Sequence, residues 1–187
     1  MSVLPIVTYN DPILKKEAKP ISENSEDLQE LIDDMFETMY HASGVGLAAP
    51  QIGRSIQLFV MDADSITEEL EDERDAGPIV FINPKIIEKD EETVKMEEGC
   101  LSIPEVRDEI SRPESIKISY KDRDFQDQTL EASGWLARVI QHEYDHLQGV
   151  LFLDYLSAFK QRLHKSTLRK IEKGKLETEY PLVPKMQ

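Results

Sequence analysis

Several protein classes are excluded by what this sequence lacks. It has a single cysteine, Cys100, so no disulfide can form within the chain, and a reducing compartment is indicated. No apolar run approaches the roughly 20 residues of a membrane-spanning helix. Basic residues are outnumbered, 22 Lys and Arg against 37 Asp and Glu, and the resulting net charge of -15 argues against sequence-specific binding of nucleic acid.

The N-terminus also lacks the features of a targeting segment. Residues 1–16 have neither a charged start followed by an apolar core and a cleavage site, nor the acid-poor composition of an import signal. We therefore expect a cytoplasmic protein with no membrane association. The length of 187 residues and the 40% hydrophobic content fit one domain, residues 1–187, with a buried core. Residues 175–187, which contain two prolines, are predicted to form a loose tail.

Three segments have the periodicity of amphipathic helices. The first covers residues 25–41 and ends before Gly44, and the second covers 133–149, from a capping serine to a glycine. The third runs from about residue 154 to 173 and becomes strongly basic toward its end.

Short apolar runs between the first two helices, bounded by Pro, Asp or Gly, predict β-strands. The candidates are residues 56–61, 80–83, 85–88, 93–97 and 115–120. The acid-rich stretch 62–77 is predicted to be a solvated surface loop. The order of elements predicts an α+β fold, with short antiparallel strands packed around the second helix and a further helix near each terminus.

The segment with the most specific chemistry is His142-Glu143-Tyr144-Asp145-His146, an HExxH motif inside the second helix. Histidines four residues apart lie on one helix face, where both imidazoles can bind one metal ion. A metal ion lowers the pKa of bound water toward ~7, and the adjacent carboxylate can then accept a proton from that water. The motif therefore indicates a metal-dependent hydrolase.

Two other segments are candidates for the rest of the site. Cys100, in the sequence EGCLS, could supply a thiolate as the third metal ligand, although a lone cysteine is more often part of a core. Residues 44–51, GVGLAAPQ, combine small residues that allow close backbone approach with the amide donor of Gln51. A simple tight turn after the first helix would explain the same pattern.

The segments GVGLAAPQ, EGCLS and QHEYDH, in this order, resemble the three signature motifs of the peptide deformylases. The resemblance extends from about Asp11 to about Leu168, and the basic C-terminal helix is similar to that of the bacterial form. It implies a hydrolase that removes the N-formyl group from the formyl-methionine of nascent polypeptides and releases formate.

The resemblance also implies a metal site. Cys100, His142 and His146 would bind one divalent ion per chain, with water in the fourth position. That ion would be Fe2+ in the cell, with Zn2+, Ni2+ or Co2+ able to replace it. Glu143 would act first as general base and then as acid toward the departing amine.

Further roles follow from the family pattern. The Gln51 side chain and the Leu101 backbone amide would donate to the oxyanion, and Gly46 would keep the approach to Gln51 clear. The substrate backbone would add as a strand along Val45 and Gly99. Arg107 would bind substrate carbonyls, and Asp145 would pair with Arg112.

A pocket for the methionine side chain is implied beside the metal. The matching positions are Val45, Met96, Trp135, Arg138, Val139 and His142. Trp135 and Arg138 depart from the expected aliphatic residues, the first in bulk and the second in charge. We expect the Arg138 stem to lie inward and its guanidinium to reach solvent.

Three alternative functions remain open from the residues alone. One is a cysteine-histidine hydrolase with Cys100 as nucleophile, and sensitivity to chelators would argue against it. An HExxH metalloprotease would use the same histidines and glutamate, but would cleave internal peptide bonds. A non-catalytic, metal-stabilised interaction module could dock on the ribosome through the basic C-terminal helix. A structural zinc site normally has four protein ligands, and no second cysteine is present to complete one here.

Overall fold

The computed structural model describes residues 1–63 and 77–184. The predicted acidic loop, 62–77, lies almost entirely outside the described residues. Within the described part of the chain, no helix is both long enough and apolar enough to span a membrane.

The first predicted helix is confirmed as α1, Glu26–His41. Ser25 caps its start, because the side chain accepts a hydrogen bond from the Leu28 amide at 3.1 Å. One face of the helix is apolar and buried against the core. The helix ends where Gly44 donates its amide to the carbonyl of Met39, which turns the chain toward the next strand.

A five-stranded sheet forms the larger part of the core, with every neighbouring pair antiparallel. In spatial order its strands are β2 (Gly46–Ala48), β3 (Leu58–Met61), β4 (Ile79–Lys89), β7 (Ser115–Lys121) and β8 (Asp127–Ser133). The sequence predicted β4 as two strands. It is a single strand with a register shift between Ile82 and Lys85, where Asn83 has a φ of +49°.

A separate two-stranded hairpin consists of β5 (Thr93–Cys100) and β6 (Ile103–Pro113). Strand β6 was not predicted, because prolines and charged residues interrupt its apolar alternation, although Ile103, Val106 and Ile110 are buried in a common cluster. The hairpin matters for the site, since Cys100 ends its first strand.

The second predicted helix is α2, Gly134–Leu147, which begins directly after β8. It contacts strands β2, β3, β7 and β8, so its buried face lies against the five-stranded sheet. The described residues thus form an α+β fold with antiparallel sheets and four α-helices, which confirms the predicted fold class.

The prediction of one C-terminal helix is wrong, because two short helices lie there, α3 (Ala158–Leu163) and α4 (Lys165–Glu172). They are separated at His164, whose Nε2 lies 2.9 Å from Asp108 Oδ2. Lys160 Nζ lies 3.0 Å from the other oxygen of the same carboxylate. Hydrogen bonds from His164, and then from Lys160, lower the pKa of Asp108 to about 2, so the carboxylate that ties α3 to β6 stays ionised.

The prediction of a loose tail is wrong for its described part. Strand β9, Leu182–Val183, pairs in parallel with β1, Ile6–Val7. The Ile6 amide donates to the Pro181 carbonyl at 2.9 Å, and the Tyr180 hydroxyl donates to the Leu101 carbonyl at 2.6 Å. The pairing of β9 with β1 therefore fixes this segment against the rest of the protein, and no local sequence pattern predicts that pairing.

Candidate active site

Three side chains with metal-binding atoms meet where α2 crosses the end of the β5–β6 hairpin. The ligand atoms of Cys100, His142 and His146 all lie within 4.8 Å of one another. Cys100 Sγ is 3.5 Å from His146 Nε2, and the two imidazole ring centroids are 5.1 Å apart. One thiolate and two imidazoles fit a tetrahedral divalent ion with one position left for water or substrate.

Glu143 lies beside this trio and is buried. Its Oε2 atom is among the buried side-chain atoms that have no hydrogen-bond partner within the described residues, as is Nδ1 of His146. Burial raises the pKa of Glu143 to about 7, which the neighbouring His142 partly opposes. A carboxyl group with a pKa near neutral can both accept and return a proton during turnover.

Glu98, which was not among the predicted site residues, determines how His142 is oriented. The Glu98 Oε1 atom lies 2.8 Å from His142 Nδ1. Burial alone would raise the pKa of Glu98, but hydrogen bonds with His142 and Arg112 outweigh it and hold the pKa well below its usual range. A carboxylate on Nδ1 leaves Nε2 free to bind a metal. The sequence signal that could have identified Glu98 was its position at the start of the segment EGCLS, two residues before Cys100.

Two arginines bind the same carboxylate. Arg112 donates from Nε at 2.6 Å, and Arg138 donates from NH1 at 2.8 Å. Arg138 also donates to the backbone carbonyls of Ile110 at 2.7 Å and Val94 at 2.6 Å. The expectation that its guanidinium reaches solvent is therefore wrong, because these acceptors satisfy it in the interior.

The predicted pair between Asp145 and Arg112 is confirmed. Arg112 NH1 donates to Asp145 Oδ2 at 2.7 Å, and Tyr155 donates to the same oxygen at 2.7 Å. Arg112 therefore joins two carboxylates, Glu98 on β5 and Asp145 on α2.

Gln51 approaches the trio from the turn that follows β2. Its Oε1 accepts from the Ala48 amide at 2.9 Å, so Nε2 is the end directed toward Cys100 Sγ, at 3.4 Å, and Ser102 Oγ, at 3.2 Å. Gly46, in the same segment, leaves room for Glu143, since a Cβ atom there would lie 2.8 Å from Glu143 Oε1. The small-residue segment is thus part of the site and not only a turn.

Family comparisons agree with this geometry. A sequence model described as polypeptide deformylase matches residues 3–162. The peptide deformylase of Salinibacter ruber is 53% identical, and the match covers 98% of this chain and 95% of the relative. The chain belongs to the polypeptide deformylase family.

Solved deformylases share the fold. The crystal structure of the Ehrlichia chaffeensis enzyme has a TM-score of 0.85 and 41% identity, covering 94% of this chain and 100% of that one. For the Legionella pneumophila deformylase the TM-score is 0.82 and the identity 40%, and the match covers 92% of this chain and 96% of that one.

This chain is therefore a metal-dependent hydrolase that removes the N-formyl group from nascent peptides. The protease and interaction-module alternatives find no support among these relatives.

The deformylase site opens into a cleft of about 460 Å³. Twelve residues that the sequence placed in the site line it: Val45, Gly46, Gln51, Gly99, Cys100, Leu101, Arg107, Trp135, Arg138, Val139, His142 and Glu143. Met96 is not among the lining residues; it is paired with Ile110 on the hairpin, where the Arg138 guanidinium is bound. Tyr180, from the C-terminal segment, lines the cleft and was missed.

The rim of the deformylase cleft carries Arg107. Its Nε donates to Glu97 Oε1 at 2.6 Å, and both side chains are more than half exposed. Gly99 leaves room for the guanidinium, because a Cβ atom on that residue would lie 2.7 Å from Arg107 NH1. The arrangement keeps a cation available beside the edge of β5.

Proposed function

We propose that deformylation takes place where Cys100, His142 and His146 bind one divalent ion, with Glu143 carrying the proton. The observation that carries this proposal is the convergence of the three ligand atoms beside a buried glutamate that faces a cleft. A divalent ion bound there supplies a Lewis acid for the formyl oxygen and lowers the pKa of water toward ~7.

Glu143 accepts the proton of the attacking water and then gives it to the departing amine. Burial raises the pKa of Glu143 above its usual value, which favours uptake of the proton from water before its return to the amine. The Glu143 carboxylate stays close to the proposed ligands, because Glu143 directly follows His142 on α2.

Gln51 and the backbone amide of Leu101 stabilise the negative charge that develops on the formyl oxygen. The bond from the Ala48 amide fixes the Gln51 side chain before substrate arrives, so little reorganisation is needed. Loss of one such donor typically costs about 3 kcal/mol of transition-state stabilisation.

The substrate backbone adds as a strand along Val45 and Gly99, with Arg107 binding its carbonyls at the rim. The methionine side chain enters between Trp135 and Val139, near His142. Arg138 also lines the cleft, and its guanidinium is hydrogen-bonded to Glu98. Recognition through the backbone suits an enzyme that acts on nascent chains of many sequences.

We propose Fe2+ as the metal in the cell, with Zn2+, Ni2+ or Co2+ as functional substitutes. Protein purified without oxygen is expected to release formate from formyl-Met-Ala-Ser with about one iron per chain. Exposure to air should inactivate the iron form, because oxidation of iron and of its thiolate ligand destroys the site, whereas the nickel form should keep its activity. Formate release and metal content are measured on the same sample.

The control for this experiment is the unformylated peptide Met-Ala-Ser, on which no cleavage is expected. Equal loss of activity by the iron and nickel forms in air would contradict the assignment of iron. Metal bound in either form without any formate release would contradict the reaction itself.

We also propose that the enzyme works in the cytoplasm and contacts the ribosome through α3 and α4. The exposed faces of these helices carry Arg162, Lys165, Arg169 and Lys170 next to exposed Phe159. Attraction between this basic face and ribosomal RNA should weaken as salt rises.

Cosedimentation with ribosomes tests the contact. The double variant Arg162→Glu, Arg169→Glu should bind about tenfold more weakly at low salt, because two phosphate contacts are replaced by repulsion. The matched control is the double variant Lys85→Glu, Lys95→Glu, which changes two exposed lysines on strands β4 and β5 instead of the helices. Equal binding by both variants would contradict a contact through these helices.

A further inference from the structure

The C-terminal segment returns to the active site after α4. The chain turns at Gly174, whose φ is +67°, and runs back until β9 pairs with β1. The Pro181 carbonyl accepts from the Ile6 amide at 2.9 Å, and the Val183 carbonyl accepts from the Thr8 amide at 3.3 Å. The backbone on the C-terminal side of Tyr180 is therefore fixed.

Tyr180 enters the wall of the cleft from this segment. Its hydroxyl donates to the Leu101 carbonyl at 2.6 Å, and the ring packs against the same core cluster as Leu101. Burial, and then the charge of Cys100, raise the pKa of Tyr180 far above its usual value, so the hydroxyl remains a donor at any working pH.

The turn that receives this hydrogen bond joins β5 to β6 and contains Cys100, Leu101 and Ser102. Ser102 is held twice, since its carbonyl accepts from the Tyr9 amide at 3.0 Å and its hydroxyl accepts from Gln51 Nε2 at 3.2 Å. Tyr9 follows β1 and Tyr180 precedes β9. Two residues that flank the small β1–β9 sheet therefore donate hydrogen bonds to successive carbonyls of this turn, those of Leu101 and Ser102.

We propose that Tyr180 is a positioning residue for deformylation. Its hydroxyl holds the carbonyl of the Leu101–Ser102 peptide. This restricts rotation of the preceding Cys100–Leu101 peptide, which carries the Leu101 amide, so the amide stays directed at the formyl oxygen next to the metal ligand Cys100. This inference rests on the proposed function, in which the Leu101 amide stabilises the oxyanion. A residue that only anchored the tail would contribute to folding and would leave turnover unchanged.

Tyr180→Phe removes the hydroxyl and keeps the ring in the cleft wall. We expect kcat for formyl-Met-Ala-Ser to fall about three- to tenfold, the factor that corresponds to one lost hydrogen bond. KM should stay within about twofold, because the donor acts mainly on the transition state. Metal content should remain one ion per chain.

Tyr9→Phe is the matched control. The Tyr9 hydroxyl bonds to Glu172 on α4, so this variant also loses one tyrosine hydroxyl near the C-terminal segment without touching the Leu101 carbonyl. The two variants should lower the melting temperature similarly, and only Tyr180→Phe should lower kcat.

Amide hydrogen exchange of the nickel-loaded protein supplies a readout that does not depend on activity. Peptides that cover residues 100–102 should exchange about threefold or more faster in Tyr180→Phe than in wild type or Tyr9→Phe, because the turn opens more often. Unchanged exchange and unchanged kcat in Tyr180→Phe would overturn the proposal. So would an equal loss of kcat in both variants. If wild type released no formate, the proposed function would fail, while faster exchange would still show that Tyr180 fixes the turn.

Discussion

Glu143→Gln is expected to abolish most turnover while the protein keeps its metal. A glutamine has nearly the shape of glutamate but cannot accept the proton of the attacking water, and proton transfer of this kind contributes about 10²- to 10⁴-fold to rate. Cys100, His142 and His146 are unchanged, so about one ion per chain should still bind. Formate release and metal content are measured together on anaerobically prepared protein.

The matched control is Glu131→Gln, the same chemical change at an exposed glutamate shortly before α2. It should have wild-type kcat. Full turnover in Glu143→Gln would remove Glu143 from the mechanism. Loss of metal together with turnover would instead assign Glu143 a role in holding the ion.

Glu98→Gln is expected to destabilise the protein strongly. The Glu98 carboxylate is 3% exposed. It balances the positive charges of Arg112 and Arg138, each 4% exposed, and it also orients His142. Removal of one partner from a buried charge network typically lowers the free energy of unfolding by about 3–5 kcal/mol. Urea denaturation of the zinc-loaded protein, followed by fluorescence of the single tryptophan, Trp135, measures the loss.

The same substitution should weaken metal binding by about 10- to 100-fold, the usual effect of losing the carboxylate behind a histidine ligand. Glu97→Gln is the matched control on the neighbouring residue, whose side chain is 60% exposed and pairs with Arg107 at the rim. Its effect on unfolding should stay below about 0.5 kcal/mol. Equal stability of the two variants would show that the buried network contributes no net stabilisation.

The central chemistry could be predicted from the sequence because it depends on local geometry. An α-helix places residues 142 and 146 on one face regardless of the rest of the fold, so HExxH alone predicts two ligands and an adjacent carboxylate. The α1 helix was equally predictable, from its periodicity and its serine cap. Prediction of Cys100 as the proposed third ligand required the order of three motifs, since no spacing relates a hairpin end to a helix.

Other features depended on contacts between distant segments. The path of Arg138 was predicted wrongly because its acceptors, Glu98 and the carbonyls of Val94 and Ile110, lie on a hairpin 28 to 44 residues earlier in the chain. Strand β6 was missed for a related reason, since pairing with β5 stabilises a segment whose own pattern is irregular.

The sequence by itself therefore predicted the residues of the proposed reaction centre, and it determined the α+β class and the α1 and α2 helices, because helical periodicity and motif order are encoded locally. The tertiary structure alone decided the buried charge network behind His142, the position of Met96 outside the cleft, and the return of Tyr180 to the Leu101 turn. These features arise from side chains and backbone that meet only after the chain has folded, so no window of sequence contains both partners.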